Sequence, residues 1–580
     1  MRTFISTVRG GVLPVLLCMS ALLPLGAMAD AREVFSLDDS LAAHATLRLK
    51  PTDLIVAPNG RYVAWVDGAA LLVATAPTFE ARTVATSVVA AYASSDGQTL
   101  LYTRGKLEPA FGSYPQEDSR ELWRVPVAGG TSQLLAKGEE VPEGAPVFAP
   151  DGRSFVTAEG PMLYEYRLDA EGLRRRPLLK RDAQHYAAIR LSNLMYSPDG
   201  RSLAFVSWRK AGQSYVAVHD FATGDYRYID SGIFRDVTPV WSPDGSQLAF
   251  ARTLGNWTHE YRFSPKNEAA PWSLMIADAA TGKVRTLWRA DTGAGSVFQP
   301  FGNGAWMESS VETPQLSWTP DGQILFPWEK TGWLSLYAIA SLGGKPRQIT
   351  PGDGEVTLPA LDASGRNVIY ATNIGDLPRL HLWRASLTGG TPQQLTRGIG
   401  VEHSPKMLAG DRFVYIDNEN GRMPNRRVIG TGNARPTVLT PLAAERQKNQ
   451  KTWQQFVDED VVALTADDGV VSYHMMMVPK GTPPPGGFPV IVSSKGGPDG
   501  RVSPGNTVNA ALGQYAASRG YVFIDINYRG CFGFGLDYRL PPQRGATGGS
   551  EVKDLRALAL YLRGRADVNP NRIGIMGGSY

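Results

Sequence analysis

Eight times between residues 57 and 412 the chain repeats one short unit: small or polar residues, a tight-turn signature, then an apolar run. The copies are Ala57-Pro58-Asn59-Gly60-Arg61, Ser95-Asp96-Gly97, Ala149-Pro150-Asp151-Gly152-Arg153 and Ser197-Pro198-Asp199-Gly200-Arg201. They continue as Ser242-Pro243-Asp244-Gly245, Thr319-Pro320-Asp321-Gly322, Ala363-Ser364-Gly365-Arg366 and Ala409-Gly410-Asp411-Arg412. Proline pre-sets the turn's first φ, aspartate bonds its own backbone, and glycine accepts a positive φ. Successive turn glycines are 37, 55, 48, 45, 77, 43 and 45 residues apart. A second pattern lies between the turns: Leu122-Trp123, Leu336-Tyr337 and Leu382-Trp383 each precede a Gly-Gly pair, at 129–130, 343–344 and 389–390. Each unit therefore holds about four strands, and a period of roughly 40–50 residues is that of a β-propeller blade. The turns predict seven or eight blades, the number depending on whether residues 30–50 and 400–440 close one blade together. The 77-residue interval, which contains Trp257-Thr258-His259-Glu260-Tyr261, reads as one blade with an insertion. A propeller alone names no activity.

After residue 440 the period changes. Strand signals at Val461–Leu464 and Val470–Val478 flank the turn Asp467-Asp468-Gly469. The apolar run Pro489-Val490-Ile491-Val492 reads as a buried strand. A helix is expected from about Val508 to Arg519, then a strand from Tyr521 to Ile526. A second helix, about Ser550 to Arg563, puts Val552, Leu555, Leu558 or Ala559, and Leu562 on one face. Strands alternating with helices of this length indicate a mainly parallel α/β sheet. The predicted organisation is a propeller over residues 30–440, then the first part of an incomplete α/β-hydrolase domain over 441–580.

The chain's last apolar run, Arg572-Ile573-Gly574-Ile575-Met576, leads into Gly577-Gly578-Ser579-Tyr580. A strand followed by Gly-x-Ser is the first half of a nucleophile elbow, in which a serine is presented at the top of a sheet. The next residue's backbone N–H then helps to bind the oxyanion. Ser579 is accordingly the candidate nucleophile and the Tyr580 backbone a candidate oxyanion donor. In this fold the acid and the histidine follow the serine in chain order. All seven histidines precede Ser579, so the expectation is a chain that stops before its Asp and His and is inactive by itself. The loop Ser493-Ser494-Lys495-Gly496-Gly497-Pro498 occupies the position of an oxyanion loop, after an early strand. Gly530, Gly533 and Gly535 are spaced G-x-x-G-x-G, which is not the dinucleotide order. No cofactor and no metal site is expected.

Residues 1–29 read as a secretory signal: Arg2 and Arg9, an apolar stretch Val12–Leu25 too short for a comfortable span, and Ala27-Met28-Ala29 as a cleavage site. Bulky Leu17 ahead of Cys18 argues against lipid attachment. Cys531 is then the only mature cysteine, which excludes an intramolecular disulfide and fits the bacterial periplasm. The net charge of +4 falls to +2 without the signal, too weak to argue for nucleic acid or a membrane surface.

Taken together, the arrangement resembles the prolyl oligopeptidase family of serine peptidases. The residues carrying the resemblance are Asn527-Tyr528-Arg529-Gly530, Gly549-Ser550-Glu551-Val552-Lys553-Asp554 and Asn571 to Tyr580. The Gly-Gly-Pro loop looks most like the acylaminoacyl-peptidase and dipeptidyl-peptidase branches. The resemblance implies Ser579 as nucleophile, the Tyr580 N–H as one oxyanion donor, and peptide substrates admitted through the propeller. Lys495 stands where those branches carry Tyr or His, so its side chain either donates to the oxyanion or points to solvent. The paired glutamates by which dipeptidyl peptidases hold a substrate amino group have no clear match here, so strict dipeptide removal is not implied. The competing readings are a non-catalytic propeller scaffold and an esterase or other acyl hydrolase on the same frame.

Overall fold

The computed structural model describes residues 35–47, 54–105, 120–169, 172–179, 188–210, 212–254, 271–302, 314–357, 359–418, 426–431, 436–439, 449–496, 500–505, 509–545 and 549–578. From residue 55 to 438 these form eight antiparallel four-stranded blades, at 55–86, 90–137, 147–177, 188–228, 234–289, 317–348, 360–394 and 401–438. Of the seven or eight blades expected, eight are present, and residues 401–438 make a whole blade by themselves. The long interval before Gly322 holds one blade, whose third strand is Ser273–Asp278. The proposed insertion at Trp257–Tyr261 lies outside the described residues, as do residues 1–29.

The turn chemistry explains how neighbouring blades register. In the fourth blade Ser197 Oγ donates to Asp199 Oδ1 (2.6 Å), and that oxygen also accepts from the Arg201 N–H (3.0 Å). Gly200 has φ +72°, and a Cβ there would stand 3.2 Å from Cδ of Pro150, in the preceding blade's turn. Gly245 and Gly365 meet Pro198 and Pro320 of the preceding turns in the same way, so proline stacks on glycine at several of the turns. The ring closes without a shared strand. Trp65, Leu72 and Phe79 of the first blade pack on Leu408, Val414, Ile416 and Ile429 of the eighth. Lys406 Nζ donates to the Leu54 carbonyl (2.6 Å), and the Ala409 N–H to the Gly60 carbonyl (3.0 Å).

Residues 37–47, which fall in the predicted propeller segment, are a helix, α1 (Leu37–Leu47), packed on the C-terminal half. It meets α2 (Gln450–Gln455) and α3 (Ala510–Ser518). Ser40 Oγ donates to the Ala511 carbonyl (2.7 Å), Trp453 Nε1 to the Ala43 carbonyl (3.2 Å), and the Phe35 and Phe456 rings lie 5.5 Å apart. The described chain thus passes from a helix on the C-terminal half out around the ring and back.

That half holds five strands: β1 (Asp460–Thr465), β2 (Val471–Met477), β3 (Phe488–Ser494), β4 (Val522–Ile526) and β5 (Val568–Gly577). Their order is β1-β2-β4-β3-β5, with β4, β3 and β5 mutually parallel. Val490, Val492, Val522, Ile524 and Ile526 form the core with Leu558 and Leu562 of α4 (Glu551–Arg563). Val552, expected on that apolar face, is 54% exposed, and Asp554 is buried because it pairs with Arg529. β5 stands at the edge of the sheet, with Ile575 64% exposed. No helix among the described residues is long and apolar enough to cross a membrane.

Gly60 and Gly97 separate two costs at the turns. Both have nearly the same φ, +67° and +68°. A Cβ on Gly97 meets only side chains, at 3.5 Å or more, whereas one on Gly60 collides with the backbone of Leu408 and Ala409 in the closing blade. Gly97→Ala is expected to cost about 1–2 kcal/mol from the left-handed backbone alone. Gly60→Ala is expected to cost clearly more, measured by denaturant unfolding; equal losses would show that closure does not depend on this contact.

A candidate active site at the seam of the two halves

Three parallel strands end side by side. Ser494 of β3 pairs with Ile526 of β4 on one side and Gly577 of β5 on the other. The carboxyl ends of parallel strands are where α/β sheets build their sites, because the loops leaving them diverge. Lys495-Gly496 and Gly578 therefore leave the sheet next to each other. Gly577 allows that approach: a Cβ there would be 3.1 Å from the Ser494 carbonyl oxygen. Ser579 and Tyr580, the predicted nucleophile and oxyanion donor, lie outside the described residues, immediately after this point.

Lys495 is buried, with 4% exposed. Its Nζ donates to Cys531 Sγ (3.0 Å) and sits 4.5 Å from the Tyr528 ring centroid. Tyr528 Oη donates to the Lys495 carbonyl (2.7 Å). Of the two orientations the sequence left open, the side chain is not the solvent-pointing one. Its ammonium is held on the loop that follows β4. Burial pushes the Cys531 thiol up, against the lowering influence of Lys495.

The Asn-Tyr-Arg-Gly run is explained by what it fixes. Asn527 accepts from the Val502 N–H and donates to the carbonyls of Tyr473 and Val502, all at 2.8 Å. This pins the segment downstream of the Gly-Gly-Pro loop over the strand ends. Arg529 grips Asp554 of α4 (2.8 Å) and Asp468 of the β1–β2 turn (2.5 Å). Asp525 is fully buried, which pushes its carboxyl up. It accepts from the Asn509 N–H (3.1 Å), and Asn509 Nδ2 donates to Ser493 Oγ (2.8 Å).

The propeller closes over this end. Glu355 accepts from the N–H groups of Gly533 (2.9 Å) and Gly535 (3.2 Å). Glu329 forms a two-pronged pair with Arg539, both bonds at 2.7 Å. Asn373 Nδ2 donates to the Gly533 carbonyl (2.6 Å), and the buried Arg501 bonds the carbonyls of Gly533 (3.0 Å) and Leu377. Burial pushes the Glu355 carboxyl up and lowers Arg501 to about 9. Sequence reasoning missed Glu329 and Glu355. The available signal was a single acidic residue directly after the apolar run Gln323–Trp328, and another after Gly352-Asp353-Gly354. Among the described residues no group of three or more His, Cys, Asp or Glu side chains is spaced to hold a metal ion.

Residues 508–580 match a family model described as the prolyl oligopeptidase family, and residues 273–421 match one described as the dipeptidyl peptidase IV N-terminal region. Among curated proteins, dipeptidyl-peptidase 5 of Porphyromonas gingivalis is 24% identical over 399 residues, covering 67% of this chain and 47% of that protein. The uncharacterized peptidase YuxL of Bacillus subtilis is 28% identical over 155 residues, 25% of this chain and 23% of that protein. The chain therefore spans about half the length of the first of these relatives, or less. Among solved structures, dipeptidyl peptidase 4 of Porphyromonas gingivalis superposes with a TM-score of 0.70 at 16% identity, covering 94% of this chain and 81% of that one. A puromycin-hydrolyzing peptidase of Mycobacterium tuberculosis gives 0.63 at 19%, covering 96% and 76%. These likenesses bear out the propeller followed by α/β-hydrolase elements.

The propeller loop resting on the seam is braced by a buried imidazole. His381 Nδ1 lies 2.8 Å from Glu402 Oε2, and Nε2 3.3 Å from Asp376 Oδ2. Burial opposes the charge, but the two carboxylates outweigh it and raise the imidazole from 6.5 to about 9. The raised value means that this stabilisation is complete below about pH 6.5 and is lost as pH rises through about 9. The unfolding midpoint is expected to fall across that window, and His381→Gln to flatten the fall. A variant that keeps the same pH dependence would assign it to another group.

Proposed function

We propose, from the match of residues 508–580 to the prolyl oligopeptidase family model and of residues 273–421 to the dipeptidyl peptidase IV N-terminal model, that this chain is part of a serine peptidase of that family in which Ser579 is the nucleophile that cleaves short peptides by acyl transfer. The observation that carries this is the delivery of Gly577-Gly578 to the carboxyl edge of the sheet, beside the end of β3. There the Ser579 hydroxyl attacks the peptide carbonyl and its proton passes to a base. The tetrahedral oxyanion takes the Tyr580 N–H as one donor; it collapses with cleavage of the C–N bond as the base returns its proton to the departing amine, and water then attacks the acyl-enzyme to release the acid and the free serine. Lys495 is the second donor in this reading. Its ammonium is held by Cys531 and Tyr528 on the loop after β4, and in this reading a rotation about its long stem brings a charged donor to the developing negative charge. The propeller limits substrates to short peptides that fit between the halves, and residues 1–29 direct the protein to the periplasm.

Glu329 and Glu355 are engaged by Arg539 and by the loop amides of Gly533 and Gly535. They hold the seam rather than a substrate amino group, which supports peptide cleavage without a strict dipeptide requirement. The names of the relatives span dipeptidyl peptidases and a puromycin-hydrolyzing peptidase.

All seven histidines precede Ser579, so the 580-residue chain by itself is expected to resist a fluorophosphonate probe. Where a histidine from outside these residues supplies the base, Ser579 is the serine expected to be labelled. Ser579→Ala then removes labelling and lowers peptide hydrolysis by on the order of 10⁶-fold. Labelling at another serine with Ser579 untouched overturns the assignment. Lys495→Ala is expected to lower kcat by roughly 10²–10³-fold with little change in KM; an unchanged kcat removes its role.

A further inference from the structure

A cavity of about 640 Å³ lies between blades three and four. Strand alternation sets its two walls. In the third strand of blade four, Ser214–Asp220, Val216 and Val218 join the core shared with blade five, whereas Ala217 joins Val156, Leu163, Leu178 and Leu179 on the side of blade three. His219, two residues after Ala217, therefore faces blade three. In the third strand of blade three, Met162–Leu168, Leu163 faces blade four. Glu165 shares that face, as does Arg176, its cross-strand partner on Leu173–Pro177. Met162, Leu178 and Leu179 are buried and give the cavity an apolar floor, while Arg176 is exposed at its mouth. The volume falls within the range of about 300–1,000 Å³ typical of small-molecule sites.

The polar groups lining it are few. Arg176 Nε donates to Glu165, and Arg167 pairs with the same carboxylate oxygen (3.6 Å), so two guanidinium groups share one buried carboxylate. Among the described residues the Nη groups of Arg176 have no hydrogen-bond partner. A guanidinium with a free Nη edge is a planar donor that matches a carboxylate. Across the cavity His219 is 1% exposed, and its Nδ1 has no partner. Burial, and then the positive charge of Arg176, hold this imidazole below its usual range, so it is uncharged at neutral pH. Its ring stands edge-on to Phe221 at 5.0 Å, and Phe221 stacks on Tyr196 at 5.3 Å, which fixes the wall. The adjacent Asp220 is engaged by its own turn, accepting from the N–H groups of Ala222 (2.8 Å) and Thr223 (3.0 Å).

We propose that the cavity between blades three and four binds a small monocarboxylic acid with an apolar body, its carboxylate on Arg176 beside His219 and its body on Met162, Leu178 and Leu179. The site is separate from the peptidase reading and does not rest on it. Two sources share this chemistry, a free aryl or alkyl acid and the C-terminal residue of a peptide, and the test separates them.

The measurement is calorimetric titration of the 580-residue chain. The probes are hydrocinnamate, its neutral amide, the cationic phenylpropylamine, and N-acetyl-phenylalanine. Hydrocinnamate is expected to bind roughly tenfold more tightly than its amide, as for one charge-assisted hydrogen bond, with the amine weakest. N-acetyl-phenylalanine binding as tightly as hydrocinnamate, or more so, supports the site with a peptide C-terminus as its ligand; weaker binding supports a free acid. Arg176→Gln is expected to erase the preference for acid over amide with the fold retained, since Arg167 still pairs with Glu165. Arg176→Lys is expected to restore part of the preference, and His219→Phe, which keeps an aromatic ring against Phe221, to weaken the acid by a smaller factor than Arg176→Gln. Equal binding of acid and amide, an amine that matches the acid, or no saturable binding of any probe overturns the site. An acid preference that survives Arg176→Gln overturns it as well. Each of these outcomes leaves the Ser579 assignment untouched.

Discussion

A single blade buries only part of its apolar surface, so every blade depends on its two neighbours, and the ring must close for the first and last to be covered. Here no strand is exchanged to lock the ring. Closure rests on side-chain packing of Trp65, Leu72 and Phe79 against Leu408, Val414 and Ile416, and on backbone contact between two turns, Gly60 and Ala409. Everything downstream inherits that closure. The hairpins that touch the α/β half belong to blades six and seven, and a ring that opened between blades one and eight would let them drift relative to the sheet.

The α/β half is tied to the ring at separate places. α1 supplies an apolar contact around Trp453 and Phe456, formed by residues that come before the first blade. The seam supplies a polar one, in which Glu329 and Glu355 are buried with charged or N–H partners. A buried carboxylate without a partner is strongly unfavourable, so each of these contacts has essentially one geometry. That makes the seam specific in direction as well as favourable, and it sets the propeller over the strand ends that carry Lys495 and lead to Ser579.

Lys495 illustrates how local and long-range information differ. Its position before Gly496-Gly497 places it at the end of a strand, which neighbouring residues suffice to indicate. Its direction depends on Cys531 and Tyr528, which reach it only because β4 pairs with β3 in parallel register. The same holds for Val552. The helix period put it with Leu558 and Leu562, but the Arg529–Asp554 pair turns a charged residue inward and leaves Val552 in the open.

By itself the sequence determined what short-range chemistry controls. Pro-Asp-Gly turns at blade spacing, four strands per turn, alternating strands and helices after residue 440, and a strand leading into Gly-x-Ser are each written within a few consecutive residues. It left seven or eight blades open, because closure is a contact between residues some 350 positions apart in the chain, such as Leu54 and Lys406. The tertiary structure decided that eight blades complete the ring, that residues 37–47 join the opposite half as a helix, and that Glu329 meets Arg539. It also decided that Arg176 and His219 line one cavity. None of these pairings is decided locally, since each depends on which surfaces remain uncovered once the ring and the sheet have formed.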